Sequence, residues 1–221
     1  MVRILSVDWD FFVEEDPMLD YGHREVSLFL EMIWHTRRQG YLWDPATQTA
    51  EPIRRDLTKL LPFRGDPAFL QVAAMRWHNY DVAVAESHLT ILQMIGQRTD
   101  LEIINVDAHH DIHYGTLPKD DVVHCGNWGA HLMQQNRVRS WTQIYPEWRQ
   151  KYKETFPRTW AKKHCPKVAV KFGEQRIPWR DVDAVFICRS GCWTPPEYDV
   201  RFNAFTEAMG SSYKLPERAI E

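Results

Sequence analysis

The stretch that decides the fold is Leu101–Asp111, LEIINVDAHHD. LEIINV is a short apolar run with β-branched residues and reads as a buried strand. It ends at Asp107 and opens into a loop, residues 108–127, dense in His, Asp and Gly. In open α/β folds, ligands collect at the carboxyl ends of strands. Alternate residues of an extended chain point the same way, so Asp107, His109 and Asp111 are expected to face one pocket, with Ala108 and His110 turned away. Two carboxylates and an imidazole suit a divalent transition ion such as Mn²⁺, Fe²⁺, Ni²⁺ or Zn²⁺. The bland alternative is a solvated polar turn.

Working outward, the same strand-then-acid pattern recurs. VRILSVD at Val2–Asp8 reads as a buried strand, and Asp8-Trp9-Asp10 puts two carboxylates at its end. Asp81–Ala85 reads as a strand feeding Glu86-Ser87-His88, with His88 opening a helix that runs to about Gln97. Further strands are expected near Ser140–Ile144, Val168–Phe172 and Ala184–Cys188. Helices are expected over His23–Gln39 with Gly40 as stop, near Leu57–Leu61, over Ala68–Trp77 behind an Asp66-Pro67 cap, over Trp128–Asn136 and near Pro196–Met209. Residues 41–65 read as a long surface connection, and 138–180 as mixed, with an aromatic and basic stretch. Strands alternating with helices predict a three-layer α/β/α domain with a mainly parallel sheet, spanning residues 1–221 as one unit.

Composition agrees and narrows the function. The 221 residues hold 27 Lys+Arg against 30 Asp+Glu, a formal charge of −3, which argues against a general nucleic-acid binder. No apolar run reaches the roughly 18–20 residues needed to span a bilayer. The N-terminal MVRILSVDWDFF meets acid at Asp8 without a small-residue cleavage site and is not read as a signal peptide. Cys125, Cys165, Cys188 and Cys192 form no CxxC pair, so a reducing, cytoplasmic setting is expected rather than a disulfide framework.

Asp8, Asp10, His88, Asp107, His109 and Asp111 are therefore six candidate metal ligands. Four carboxylates and two imidazoles exceed the needs of one ion, and four close negative charges require cations to neutralise them. Two divalent ions sharing bridging carboxylates fit the count, and a hydroxide held between them would be a nucleophile at neutral pH.

At this point the residues resemble the arginase/agmatinase/deacetylase superfamily. Asp107–Asp111 matches its DAHxD motif, and Asp8-Trp9-Asp10-Phe11 after Leu5-Ser6-Val7 resembles its SFDxD strand. Glu86-Ser87-His88-Leu89 resembles its GGDHS segment, and His124-Cys125-Gly126-Asn127 falls where members carry a catalytic His near Gly and Asn. The order differs, because here the DxD strand precedes DAHxD. That order, with HCGNW and the later RSGCWTPPEYD, is most similar to the peptide arginases of ribosomal-peptide maturation clusters. An arginase-like fold with reordered strands is expected from this resemblance.

The resemblance implies two Mn²⁺ per chain, one on His88, Asp107, Asp111 and Asp8, the other on His109, Asp107, Asp8 and Asp10. It implies conversion of arginine side chains in a precursor peptide to ornithine and urea, with Asp111 relaying a proton and His124 acting as acid/base shuttle. Two positions depart from the family pattern. Cys192 stands where arginases grip the guanidinium with Glu, so Glu14, Glu15, Asp16 and Glu197 become candidates for that role. His113 stands where they carry a substrate-contacting Asn; it and Asn127 are candidate substrate contacts. Trp43, Trp128, Trp179 and Trp193 lie in predicted loops or near the site and could line a peptide groove.

Other classes remain alongside. Asp8-Trp9-Asp10 lacks the residues a HAD-type phosphatase needs after its nucleophile, and Asp107-Ala-His109-His110 lacks the Asp-His-His order of a DHH phosphoesterase. A single-zinc deacylase, or another amidohydrolase of a small guanidino or acylated amine, would use fewer ligands than these. A peptide-binding module with a structural metal would close its site, often with Cys and His. Oligomeric state is left open by the residues.

Overall fold

In a computed structural model, the chain is described over residues 1–14, 27–44, 47–70, 80–112, 122–152, 156–177 and 182–211. Among the described residues there are eight strands: β1 Val2–Asp8, β2 Gln39–Asp44, β3 Thr49–Arg54, β4 Asp81–Ala85, β5 Leu101–Val106, β6 Val138–Tyr145, β7 Lys167–Phe172 and β8 Ala184–Cys188. Six helices accompany them: α1 Ser27–Arg38, α2 Leu57–Leu60, α3 Ile91–Ile95, α4 Trp128–Gln134, α5 Arg158–His164 and α6 Asp199–Ala208. Short 3₁₀ turns precede α3, α4 and α6.

The six-stranded sheet is parallel throughout, in the order β4-β8-β1-β5-β6-β7. Alternation along each strand gives it two apolar faces. On one, Ile4, Ile103, Trp141 and Phe186 pack with Ile91 and Ile95 of α3, Leu132 and Met133 of α4 and Ala161 of α5. On the other, Leu5, Val7, Val106, Val185 and Ile187 pack with Phe202 and Phe205 of α6 and with Trp9 and Phe12. Helices on both faces of a parallel sheet make the three-layer α/β/α architecture that the alternating pattern predicts. No helix among the described residues is long and apolar enough to cross a membrane.

Three local expectations change. Residues 39–54 are an antiparallel hairpin, β2 with β3, rather than a bare connection. α1 accordingly ends at Arg38, and Gly40 lies inside β2 instead of stopping the helix. The aromatic and basic stretch contains α5, and the segment after His88 begins as a 3₁₀ turn before α3. The Asp66 cap is present, with its carboxylate accepting the Ala68 N–H at 2.9 Å. The start of the His23–Gln39 helix, the end of the Ala68–Trp77 helix, Glu15, Asp16, His113 and Trp179 lie outside the described residues.

Candidate metal centre

Four neighbouring strands, β4, β8, β1 and β5, end at one edge of the sheet. β1 and β5 terminate in the same way. Asp8 Oδ1 accepts the Asp10 N–H at 3.2 Å, and Asp107 Oδ1 accepts the His109 N–H at 2.7 Å. Each turn bends the chain just past its strand, so the ligands converge through side-chain-capped turns rather than by continued strand alternation. Asp10 then ties the two turns together, its Oδ1 accepting the Ala108 N–H at 3.2 Å while Oδ2 meets His109 Nδ1 at 2.8 Å.

His88 enters from β4. Ser87 caps the 3₁₀ turn by accepting the Leu89 N–H, which brings His88 over the sheet edge. Ser6 Oγ holds its Nε2 at 2.6 Å, and Phe186 lies parallel to the ring. Nδ1 therefore faces three carboxylates: Asp111 Oδ2 at 2.8 Å, Asp8 Oδ2 at 3.1 Å and Asp107 Oδ2 at 3.3 Å. All four carboxylates of the cluster are at most 5% exposed and His88 is 1% exposed.

Asp111 is fixed from its other side. Trp128 Nε1 donates to its Oδ2 at 2.8 Å, and its carbonyl accepts the Gly129 N–H at 2.9 Å. A Cβ on Gly129 would meet that carbonyl at 2.9 Å and the Trp141 ring at 2.7 Å, so only glycine permits the approach. Asp111 itself holds φ +51°, and Ser190, whose Oγ donates to Asp8 Oδ2 at 2.6 Å, holds φ +48°. Two left-handed non-glycine residues touching one buried cluster mark a place where surrounding bonds outweigh backbone strain, a recurrent property of functional sites.

Beneath the ligands runs a row of buried polar side chains in register across three strands: Ser6, Asn105 and Gln143. Asn105 Nδ2 donates to Asp107 Oδ2 at 3.1 Å and to Gln143 Oε1 at 3.2 Å. Gln143 Nε2 donates to the carbonyls of His109, at 2.8 Å, and Asp107, at 3.3 Å. Sequence reading passed over these residues. Their signal was a polar residue interrupting each of three apolar strands.

The donor set fits divalent cations. His88 Nδ1 is buried without a hydrogen bond of acceptable geometry, though three carboxylate oxygens surround it. One proton cannot serve all three. Donors bound to an ion at about 2.1 Å and at right angles stand about 3.0 Å apart, which is the spacing seen here. Among the described residues three ligand groups occur: His88, Asp107 and Asp111; Asp10, Asp107 and His109; and Asp8, His88 and Cys188. Asp107 belongs to the first two, the place of a bridging carboxylate.

The electrostatics say the same. Burial, then the charges of Asp111, Asp10 and Asp8, push the Asp107 carboxyl well above the usual range. Burial works against a charged His88, yet the Asp111 charge and the bonds from Asp107, Asp111 and Asp8 hold its pKa well above the ordinary histidine value. For Asp111, burial is outweighed by His88, His109 and the Trp128 donor, and its pKa is lowered. The cluster needs positive charge, which a metal supplies more fully than one imidazolium.

The remaining candidates lie as follows. His124 caps a 3₁₀ turn over Cys125–Asn127, with its Nδ1 accepting the Gly126 N–H at 3.2 Å and Asn127 Oδ1 accepting its backbone N–H at 2.8 Å. Asn127 is thus a capping residue. Glu14 is paired with Arg64 and Lys151, and Glu197 with Arg38. Either would have to leave an ion pair to grip a guanidinium. His110 is buried, its Nδ1 accepting the Ile112 N–H at 3.2 Å. Trp193 stands over His109 with ring centres 5.0 Å apart. Its loop is anchored by Trp34 Nε1 on the Gly191 carbonyl, at 2.7 Å, and by Arg37 on the Cys192 carbonyl.

Comparison with family models, curated proteins and solved structures gives no match to this chain.

Proposed function

We propose that this chain is a dinuclear metal-dependent hydrolase that acts on the guanidinium of arginine side chains in a peptide, giving ornithine and urea. The observation that carries the hydrolase reading is the meeting of five ligands from three strand ends in two groups that share Asp107, with Asp8 joining them at His88. The arginine substrate comes from the resemblance to peptide arginases. Oxygen-rich donors with two imidazoles favour Mn²⁺. Four buried cysteines without a disulfide accord with a reducing compartment such as the cytoplasm.

Two divalent ions held by Asp8, Asp10, His88, Asp107, His109 and Asp111 would neutralise the carboxylates and acidify a water as nucleophile. The chain's own groups do the rest. Asp10 and Gln143 hold the His109 turn, and Ser6 fixes the His88 ring. Because His124 Nδ1 accepts the Gly126 N–H, the proton of the neutral ring sits on Nε2. Hydrolysis breaks the bond between the guanidinium carbon and the chain nitrogen, and the departing amine needs a proton. His124 and Asp111 are assigned to deliver it. The Trp193 ring beside His109 gives a flat wall for a planar cation.

The test is mass spectrometry of arginine-containing peptides incubated with the chain and Mn²⁺. Each converted arginine loses about 42 Da, the mass of CH₂N₂ removed when guanidine hydrolysis leaves an amine. Free arginine and an acetyl-lysine peptide run in parallel. Turnover of the acetyl-lysine peptide alone would reassign the centre to deacylation, and no conversion of any arginine substrate would overturn the arginase reading.

A further inference from the structure

We infer that Cys188 is a thiolate ligand in the His88 half of the centre, so that the two metal positions differ in chemical softness. This rests on the metal-centre reading above and adds a ligand that the resemblance does not supply. Cys188 is the last residue of β8, in register with Asp8 on β1 and Ala85 on β4, and is fully buried. Its Sγ, a ring nitrogen of His88 and a carboxylate oxygen of Asp8 lie within 4.8 Å of one another.

Two further observations point to an ion there. His88 Nδ1 is buried among the carboxylates of Asp8, Asp107 and Asp111 without a hydrogen bond of acceptable geometry. Cys188 Sγ also accepts the Ser190 N–H at 3.3 Å, and Ser190 Oγ lies 3.6 Å from it while donating to Asp8 at 2.6 Å. A donor aimed at sulfur stabilises the thiolate over the thiol. As a thiol, Cys188 directs its proton to the Glu86 carbonyl, 3.5 Å away. On metal binding the S–H bond breaks, the sulfur–metal bond forms from the same electron pair, and the proton leaves to solvent.

The consequence is asymmetry. The group of Asp10, Asp107 and His109 offers only oxygen and nitrogen, whereas the His88 side adds sulfur. Thiolate selects Zn²⁺ or Co²⁺ over Mn²⁺, while carboxylate-rich donors suit Mn²⁺. The His88 position is therefore the one that captures zinc or cobalt from a mixed supply.

The experiment loads the metal-stripped full chain with Co²⁺, counting bound metal alongside the absorption spectrum. A near-ultraviolet sulfur-to-cobalt charge-transfer band that saturates at one equivalent is expected. It should vanish in Cys188→Ser and persist in Cys192→Ser. X-ray absorption of the zinc-loaded chain should show a sulfur neighbour at about 2.3 Å. If Cys188→Ser does not fold, a chain with Cys125, Cys165 and Cys192 all changed to Ser must keep the band. Bound cobalt with no band, or a band that survives Cys188→Ser, overturns the thiolate and leaves the dinuclear centre standing. Absence of bound cobalt overturns both.

Discussion

Asp10, in the 3₁₀ turn that follows β1, clasps the turn that follows β5: one carboxylate oxygen takes the Ala108 N–H at 3.2 Å and the other meets His109 Nδ1 at 2.8 Å. A single side chain thereby sets the position of one imidazole and would present its own charge to an ion held there. Asp10→Asn keeps an oxygen for Ala108 but removes the charge. Metal analysis of the purified variant should give about one ion per chain instead of two, with the fold retained by circular dichroism.

Removing charge from Asp107 separates stability from binding. Asp107 is fully buried among three other carboxylates, so in a chelator Asp107→Asn should melt at the same temperature as the unmodified chain or above it. With Mn²⁺ at a hundred times its dissociation constant, the unmodified chain gains about 2.7 kcal/mol and the variant should gain little. Thermal melts with and without metal check both halves. A variant that is less stable in chelator would count against the crowded-anion reading.

The same crowding fixes the pH response. His88 has a raised folded pKa, so its stabilising contribution is full below about pH 6.5 and is lost as pH rises through that folded value. Asp107, also raised, holds a proton in the folded state that the unfolded chain gives up from about pH 4 upward, which again lowers stability as pH rises. Asp111 is lowered and acts oppositely, its contribution being lost on the acid side. Chelated protein should therefore melt lower as pH climbs above about 6.5. Mn²⁺ affinity should climb over the same interval, with proton release detectable by calorimetry in buffers of different ionisation enthalpy.

Gln143 holds two carbonyls of the His109 turn and is not itself one of the candidate ligands. Gln143→Leu should weaken Mn²⁺ binding about 10–100-fold, the usual cost of losing a ligand's support, and Gln143→Glu should fail to restore it because both carbonyls need donors. Fluorescence or calorimetric titration with Mn²⁺ reads the change.

Ser190 combines a left-handed backbone with a bond to Asp8. Ser190→Gly loses the bond but relieves the strain; Ser190→Ala loses the bond and keeps it. The alanine variant should be less stable by about 1 kcal/mol in denaturant unfolding. Equal stabilities would mean the backbone there is not strained.

What could be read from residues alone divides along physical lines. β1, β5 and β8 are short, mostly apolar and largely buried runs, so composition exposed them, together with the acids at the ends of β1 and β5. The β2–β3 hairpin was hidden because QGYLWD and TAEPIR carry Gly40 and Pro52 and lack an alternating pattern. α5, RTWAKKH, is too short for a helical period to emerge. Asp8, Asp10, His88, Asp107, His109 and Asp111 were legible because ligand chemistry restricts residue type, and the structure gathers them. The means of convergence was not, because an Asx turn depends on a side chain folding back on its own backbone. Ser190 and Cys188 were missed as ligand supports because Ser and Cys in a strand exit look ordinary until the partner strand is known.

Among the described residues, β4, which brings His88, pairs with β8 alone, and β8 is the last strand. During synthesis, His88 is thus made about a hundred residues before the strand that seats it beside Asp8. Before that strand is made, the nascent chain holds the six carboxylate and imidazole ligands of the proposed centre but lacks Cys188, and nothing seats His88 beside Asp8. On the proposed reading, the His88 side would form only once Ala184–Cys188 lies between β4 and β1. Insertion of that one strand would thus couple completion of the sheet to completion of the His88 side, whereas Asp10, Asp107 and His109 already meet across the directly paired β1 and β5.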